Sequence, residues 1–228
     1  MTPATSPRLE PPGERPGGAP AAGLMGLDAP EAPTPPAAAT AKVGPNAVTQ
    51  TAAALRAAGG EALARRVFAA AGQADLLDHL PTRMIDRRHP AALHRALAES
   101  LPPDQARAIA ADAGRRTADY LLAHRIPAPA QWLLRRLPPR LAARALLAAI
   151  ARNAWTFAGS GRFEARAGDP CRVTIHANPL ATPGAPWHAA VFERLFRALV
   201  APHAAVAVTA CTAEGAPACR FEIALRPR

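Results

Sequence analysis

The sequence predicts an α+β domain with N-terminal helices followed by an antiparallel β-sheet into which one helix is inserted. Three observations support this fold class. Apolar residues recur at helical spacing from Val43 to about Asn153. After Trp155 the apolar segments become short, rich in aromatic or β-branched residues, and separated by turn sequences. A last helical stripe, from Trp187 to Val200, interrupts these short segments.

The first part of the chain, residues 1–41, is predicted to be a disordered tail. It is dominated by Pro, Ala and Gly and has no aromatic residue, so it cannot bury enough apolar surface to offset the entropy of ordering it. The folded domain is expected over residues 42–228, with a helical part at 43–153 and the sheet plus helix at 154–225. Because the tail holds two arginines and four carboxylates, the domain is more basic than the net charge of +10 for the chain.

The helical part divides at its glycines and prolines. Asn46 is suited to begin a helix that stops at the pair Gly59-Gly60, and the helical pattern continues over residues 61–71. Prolines precede the later helices, where they fit the first helical turn. These later helices are expected at residues 104–124, 132–137 and 140–153.

The segments after residue 154 are interpreted as strands because glycine-rich and proline-rich turns separate them. Strands are expected at residues 155–158, 162–167, 171–176, 205–213 and 219–225. In the last hairpin Cys211 and Cys219 are symmetric about Gly215. A three-residue turn at 214–216 would therefore place the two cysteines opposite each other on adjacent strands.

The composition favours a cytoplasmic protein. Three widely spaced cysteines do not make a disulfide framework, and the first residues lack the basic-then-apolar order of a secretory signal. The longest uncharged apolar stretch, residues 199–213, is shorter than a bilayer-spanning helix and contains Pro202 and His203. No integral membrane segment is therefore expected.

Four separated motifs resemble the bacteriochlorophyll 4-vinyl reductase family, and they occur in the order found there. One is VGPNAV at residues 43–48, and the second is AWTFAGSG at residues 154–161. The third, WHAAVFERLF, covers residues 187–196, and the fourth is the cysteine-bearing hairpin at residues 211–223. The resemblance therefore extends from about residue 43 to residue 225.

This resemblance implies a role in bacteriochlorophyll synthesis, around the magnesium porphyrin stage and the reduction of a ring vinyl group. It also implies a ligand-binding fold related to vesicle-tethering subunits and to bacterial sensor domains. Magnesium chelatase or methyltransferase subunits are the partners expected from this role, and the related folds suggest a homodimer. The related sensor domains are similar in using cysteines of the last hairpin for metal.

A magnesium tetrapyrrole needs a flat apolar slot, an axial donor and cations for its carboxylates. We expect this slot between the late helix and the sheet. The candidate slot residues are aromatic and the candidate axial donors are histidines, although aromatic residues at such spacing are more often core. The residues predicted to contact the ligand are Trp155, Phe157, His176, Trp187, His188 and Phe196.

The cysteines are candidates for a metal site. Two facing thiolates can share a soft ion such as zinc, with Cys171 or a histidine as a further ligand. The alternative is that Cys171, Cys211 and Cys219 are small buried apolar residues. No cofactor is certain from the sequence.

Three functions remain open at this point. The first is a carrier or accessory factor that binds the tetrapyrrole intermediate and passes it between partner enzymes. The second is a divinyl-protochlorophyllide reductase with an external electron donor, because no nicotinamide, flavin or iron–sulfur signature is present. The third is a ligand-sensing regulator. Nucleic-acid binding is not expected, since the arginine doublets fall on separate elements without a recognition motif.

Overall fold

The computed structural model describes residues 41–159 and 161–225, which form the predicted α+β fold. The predicted tail lies outside the described residues except for Ala41, and Ser160 and residues 226–228 lie outside them as well. No helix among the described residues is long and apolar enough to cross a membrane.

The helices occupy most of the N-terminal part, as the periodicity predicts. They are α1 (Asn46–Ala70), α2 (Ala74–Asp78), α3 (Arg88–Ser100), α4 (Pro103–His124), α5 (Ala128–Arg136), α6 (Pro139–Arg152), α7 (Trp155–Ala158) and α8 (Pro186–Leu199). The expected interruption of α1 is confirmed, because Gly59 and Gly60 leave the helical conformation. Gly60 has a φ of 69°, which glycine adopts without steric cost.

The strands form two antiparallel sheets. They are β1 (Lys42–Val43), β2 (Ile85–Asp86), β3 (Phe163–Arg166), β4 (Cys171–His176), β5 (Ala205–Ala210) and β6 (Ala218–Ala224). The main sheet has the order β3-β4-β6-β5, and α8 lies between β4 and β5 in the chain. The small pair β1 and β2, together with α2 and α3, was not predicted as separate elements.

The prediction of a strand at residues 155–158 is wrong, because these residues form the one-turn helix α7. The apolar-polar alternation of this segment resembles a strand, but its backbone continues the turn that follows α6. The amide of Ala158 donates to the carbonyl of Ala154 at 2.8 Å, and the Thr156 hydroxyl donates to the carbonyl of Asn153 at 2.8 Å. Local hydrogen bonds thus outweigh the alternation.

The last hairpin also differs from its prediction. Strand β5 ends at Ala210, and a turn of 3₁₀ helix at Thr212–Glu214 replaces the expected three-residue turn at 214–216. Gly215 follows with a φ of 87°. The hairpin pairing nevertheless brings Cys211 and Cys219 side by side, as the symmetry about Gly215 predicts.

Helix α8 is the centre of the domain, since it packs against α4 on one side and against β5 and β6 on the other. The contact with α4 depends on Gly114. A β-carbon at this position would collide with the carbonyl oxygen of Trp187 and lie 3.0 Å from the β-carbon of Ala190. The absence of a side chain therefore lets the two helices approach closely.

Candidate functional site

A cavity of about 460 Å³ lies on the side of α8 that faces the other helices. Its wall is formed by the ends of α4 and α6, by α8, and by residues 44–47 and 155–157. Apolar side chains such as Leu121, Ile150 and Val191 contribute much of the surface. The volume falls within the roughly 300–1,000 Å³ of small-molecule sites in proteins.

The exposed residues of the cavity wall include Trp155 and Arg125, and we call this side of the cavity its mouth. Both residues belong to the wall and both are exposed, with 57% of the Trp155 surface accessible. The mouth therefore carries a flat aromatic ring and a guanidinium group. A flat ligand that is only partly enclosed can stack on the Trp155 ring, and a carboxylate can pair with the Arg125 guanidinium.

The expected position of the cavity, between the late helix and the sheet, is wrong. None of the described residues of β3, β4, β5 or β6 belongs to the wall. Side chains fill that space instead: the rings of Phe192 and Phe221 are 5.3 Å apart, and Phe196 and Ile223 are completely buried. The open space lies on the opposite side of α8, toward α4 and α6.

The structure brings most of the predicted ligand residues together. The predicted residues that line the cavity are Trp155, Phe157, Trp187 and His188. The other two lie elsewhere. His176 is at the end of β4, with its Nε2 atom 3.3 Å from a carboxylate oxygen of Glu164, and Phe196 is part of the core.

His188 is the most distinctive of these residues because its imidazole is buried but incompletely hydrogen-bonded. Only 1% of its surface is exposed, and it is surrounded by aromatic rings that include Trp187 at 4.8 Å and Phe157 at 6.1 Å. The Nδ1 atom is 3.4 Å from the side-chain nitrogen of Asn178. The Nε2 atom has no hydrogen-bond partner among the described residues.

The hydrogen bonds around Asn178 assign the tautomer of His188. The Oδ1 atom of Asn178 accepts from the amide of Leu180 at 3.0 Å, which fixes the orientation of the side-chain amide. Its NH₂ group therefore faces His188 and donates to Nδ1, so the hydrogen of the neutral imidazole lies on Nε2. His188 is therefore a residue of the cavity wall whose buried N–H donor has no partner among the described residues.

Two further nitrogens near His188 are also buried without a hydrogen-bond partner in the part of the chain that the structure describes. Trp187, which lines the cavity, has an unpaired indole N–H. His94 lies behind it, with the two rings 5.9 Å apart. The Nε2 atom of His94 is 3.2 Å from the carbonyl of Ala47 and must carry the hydrogen, which leaves Nδ1 as an unpaired acceptor.

Both buried histidines are neutral. Burial lowers the pKa of His188 to about 3, and the proximity of His94 adds to this effect. Burial also lowers the pKa of His94 to about 4, although its hydrogen bond to Ala47 acts in the opposite direction. These residues therefore present dipoles rather than charges to a ligand at neutral pH.

The three cysteines have a different environment. The sulfur atoms of Cys211 and Cys219 are 3.8 Å apart, whereas Cys171 lies farther along β4, opposite Ile223 of β6. Burial raises the pKa of Cys171 and of Cys211, which favours the thiol form. No group of three or more metal-binding side chains occurs among residues 41–159 and 161–225.

Comparison with known proteins identifies the family. No protein-family model matches the chain. The chain is 46% identical over 193 residues to the bacteriochlorophyll synthase 23 kDa chain of Cereibacter sphaeroides, an alignment that covers 80% of this chain and 90% of the relative. The chain belongs to the family of the bacteriochlorophyll synthase 23 kDa chain. The Rhodobacter capsulatus protein of the same name is 39% identical over 189 residues, or 79% of this chain and 85% of that protein.

Membership of the bacteriochlorophyll synthase 23 kDa chain family confirms the predicted place of the chain in bacteriochlorophyll biosynthesis. A 4-vinyl reductase activity stays a prediction. Arg125, a residue of the cavity wall, and His94, which lies behind Trp187, were not predicted from the sequence. A signal existed for His94, since it occupies the apolar stripe of α3 beside Leu93 and Leu97. Arg125 follows the last turn of α4, and no spacing distinguishes it from the other arginines.

Proposed function

We propose that this chain binds a magnesium tetrapyrrole intermediate of bacteriochlorophyll synthesis and acts as a carrier or accessory factor at the magnesium porphyrin or vinyl-reduction stage. Its relatives are named as chains of a bacteriochlorophyll synthase. The observation that carries the proposal is an apolar cavity whose wall contains two buried N–H donors without partners, on Trp187 and His188.

The shape of the site suits one edge of a macrocycle. The apolar wall removes ring surface from water, at about 25 cal/mol for each Å² buried. The remainder of the ring would lie over Trp155 at the mouth, where more than half of the tryptophan surface is exposed. A partly covered ligand of this kind remains accessible for transfer to a partner enzyme, as a carrier requires.

The polar groups of the site suit oxygen substituents at the edge of the macrocycle. The N–H groups of Trp187 and His188 would donate to a carbonyl or ester oxygen that enters the cavity. The guanidinium of Arg125 would pair with a carboxylate that stays near the mouth. Burying a donor without a partner costs about 1–3 kcal/mol, and the ligand oxygen would recover this cost.

Direct coordination of magnesium by His188 is disfavoured by its tautomer. Coordination through Nε2 needs a free lone pair there, which moves the hydrogen to Nδ1. That hydrogen would then face the NH₂ group of Asn178, whose orientation is fixed by the amide of Leu180. We therefore assign His188 the role of a hydrogen-bond donor in the proposed complex.

A Soret-band titration tests the proposal. Magnesium protoporphyrin and metal-free protoporphyrin are each added to the purified chain, and both should shift the band at micromolar concentrations with similar affinity. His188→Phe should weaken both complexes at least tenfold, because it fills the space and removes the donor. His176→Gln is the matched control, since His176 lies outside the cavity wall, and it should bind like the unaltered chain.

Two outcomes of this titration and one activity assay would contradict, in turn, pigment binding, the hydrogen-bonding role of His188 and the carrier function. An unchanged spectrum with both pigments removes its basis. A wild-type preference for the magnesium form of more than tenfold, lost in His188→Phe, assigns axial coordination instead of hydrogen bonding. Reduction of a divinyl substrate by the purified chain with NADPH makes the protein a reductase rather than a carrier.

A further inference from the structure

The chain between α4 and β3 is basic without interruption. No aspartate or glutamate occurs from residue 120 to residue 163. The arginines of the same segment are Arg125, Arg135, Arg136, Arg140, Arg144, Arg152 and Arg162. This segment includes α5 and α6, which contact each other, so this pair of helices has positive charge without carboxylates of its own.

The same region exposes large apolar side chains. Trp132 and Leu133 on α5 and Leu141 on α6 are 57%, 52% and 53% accessible. No residue of α5 is buried. Clusters of exposed apolar residues among charged ones mark interaction sites more often than isolated exposed residues do.

The arginines around these side chains are not engaged by carboxylates. Among the ion pairs of the described residues, none involves Arg136, Arg140 or Arg144. The guanidinium of Arg136 lies over the ring of Trp132, 4.5 Å from its centroid. A cation and an indole are thus presented together on one exposed face of α5.

We propose that this surface docks on an anionic lipid membrane. The docking surface consists of Trp132, Leu133, Arg136, Arg140, Leu141 and Arg144. Tryptophan favours the membrane interface, leucine favours the acyl boundary, and arginines bind acidic head groups. The lipid surface is the partner we commit to because tryptophan, leucines and arginines together match its successive layers, and an acidic protein is the alternative that the experiments below distinguish. This inference does not depend on the proposed ligand of the cavity.

Vesicle sedimentation with the full chain tests the docking surface. Vesicles of phosphatidylcholine alone are compared with vesicles that also contain phosphatidylglycerol, at low and high salt. The chain should bind the anionic vesicles and be released by salt, because the Debye length shortens as salt is added. Absence of binding to anionic vesicles at low salt would overturn the proposal.

Two triple variants distinguish binding through this docking surface from attraction by the net positive charge of the chain. Arg136→Gln/Arg140→Gln/Arg144→Gln should weaken vesicle partitioning roughly 100-fold, since each arginine near an anionic surface contributes about fivefold. Arg66→Gln/Arg95→Gln/Arg107→Gln removes the same charge from exposed positions on α1, α3 and α4, and should retain most of the binding. Equal losses in the two variants would reduce the effect to net charge and contradict a defined surface.

Tryptophan fluorescence distinguishes a lipid surface from an acidic protein. Anionic vesicles should shift the emission to shorter wavelength in the unaltered chain and in Trp155→Phe, but not in Trp132→Phe. Soluble polyglutamate serves as the model of an acidic protein. If polyglutamate binds with the same dependence on the three arginines and vesicles cause no shift, the partner is an acidic polypeptide and the lipid proposal fails.

Discussion

The two clusters of buried polar residues in this domain differ in how completely they are hydrogen-bonded. In the cysteine cluster, the sulfur of Cys219 has Asn178, the amide of Thr212 and Cys211 as partners, and Cys211 contacts the carbonyl of Thr182. In the histidine cluster beside the cavity, one nitrogen each of His94, Trp187 and His188 has no partner among the described residues. Asn178 connects the two clusters, since it contacts both Cys219 and His188.

We interpret this difference as a contrast between a group that stabilises the fold and a group that is available to the proposed ligand. The sulfur atoms of Cys211 and Cys219 have partners within the chain. The nitrogens lie beside an apolar cavity, where each unpaired group costs about 1–3 kcal/mol in the free protein. Proteins keep buried polar groups without partners mainly at sites where a ligand supplies the missing hydrogen bond. The comparison predicts different responses to pH and to substitution in the two clusters.

The largest expected effect is the response of the histidine cluster to acid. Burial lowers the pKa of His188 to about 3 and that of His94 to about 4, whereas an unfolded histidine has a pKa near about 6.5. Below that pKa the unfolded chain binds more protons than the folded chain. The free energy of unfolding therefore decreases as the pH is lowered. Between pH 7 and pH 5, each histidine should lower the free energy of unfolding by about 2 kcal/mol, and the two together by about 4 kcal/mol.

Urea denaturation across this pH interval measures the loss. His188→Leu should remove about half of the pH dependence, because one of the two histidines no longer titrates. Cys219→Ala should retain all of it, since both histidines are unchanged in this variant. An identical slope in the His188→Leu variant and in the unaltered chain would show that acid does not act through this cluster.

The next effect concerns the contact that holds the cavity wall in place. Gly114→Ala should lower the free energy of unfolding by about 3 kcal/mol, because the added methyl group overlaps the carbonyl of Trp187 and forces α4 from α8. Arg115→Ala, on the exposed side of α4, should change it by less than about 0.5 kcal/mol. Chemical denaturation of both variants at pH 7 checks this, and equal stabilities would mean that α4 adjusts freely.

These positions also show what sequence can and cannot predict. Periodicity located α4 and α8, and hairpin symmetry brought Cys211 next to Cys219. Aromatic and histidine content selected four residues of the cavity wall. The side of α8 on which the cavity opens was predicted wrongly, because it depends on how the rings of Phe192 and Phe221 fill the space over the sheet. Such packing is a property of several distant segments together, and no local pattern records it.

The cysteine cluster should lose stability when its central sulfur is removed. Cys219→Ala removes the sulfur acceptor of the Thr212 amide and one of the two acceptors of the Asn178 NH₂ group, and it creates a small void. We therefore expect the free energy of unfolding to fall by about 2 kcal/mol. Cys171→Ala is the matched control, because its sulfur has a single partner among the described residues, the carbonyl of Gly168. We expect this variant to lose about 1 kcal/mol of the free energy of unfolding. Chemical denaturation of the two variants measures both losses in the free energy of unfolding. Porphyrin titrations should be unaffected by either change, and weakened binding in Cys219→Ala would join the two clusters into one site.

The smallest effect on stability, and the sharpest separation of the clusters, is expected at His188. His188→Leu removes a 3.4 Å hydrogen bond to Asn178, but it also removes an unpaired buried nitrogen and places an aliphatic side chain among Phe157, Phe192 and Phe221. These contributions oppose each other, so the free energy of unfolding at pH 7 should change by less than about 1 kcal/mol. Pigment binding in the Soret titration should nevertheless weaken about tenfold, since the donor is absent. A binding role predicts this combination of a small effect on the free energy of unfolding and a large effect on pigment binding. If His188→Leu destabilises the chain as much as Cys219→Ala while pigment binding persists, the imidazole is a structural group, and the unpaired nitrogens no longer indicate a site.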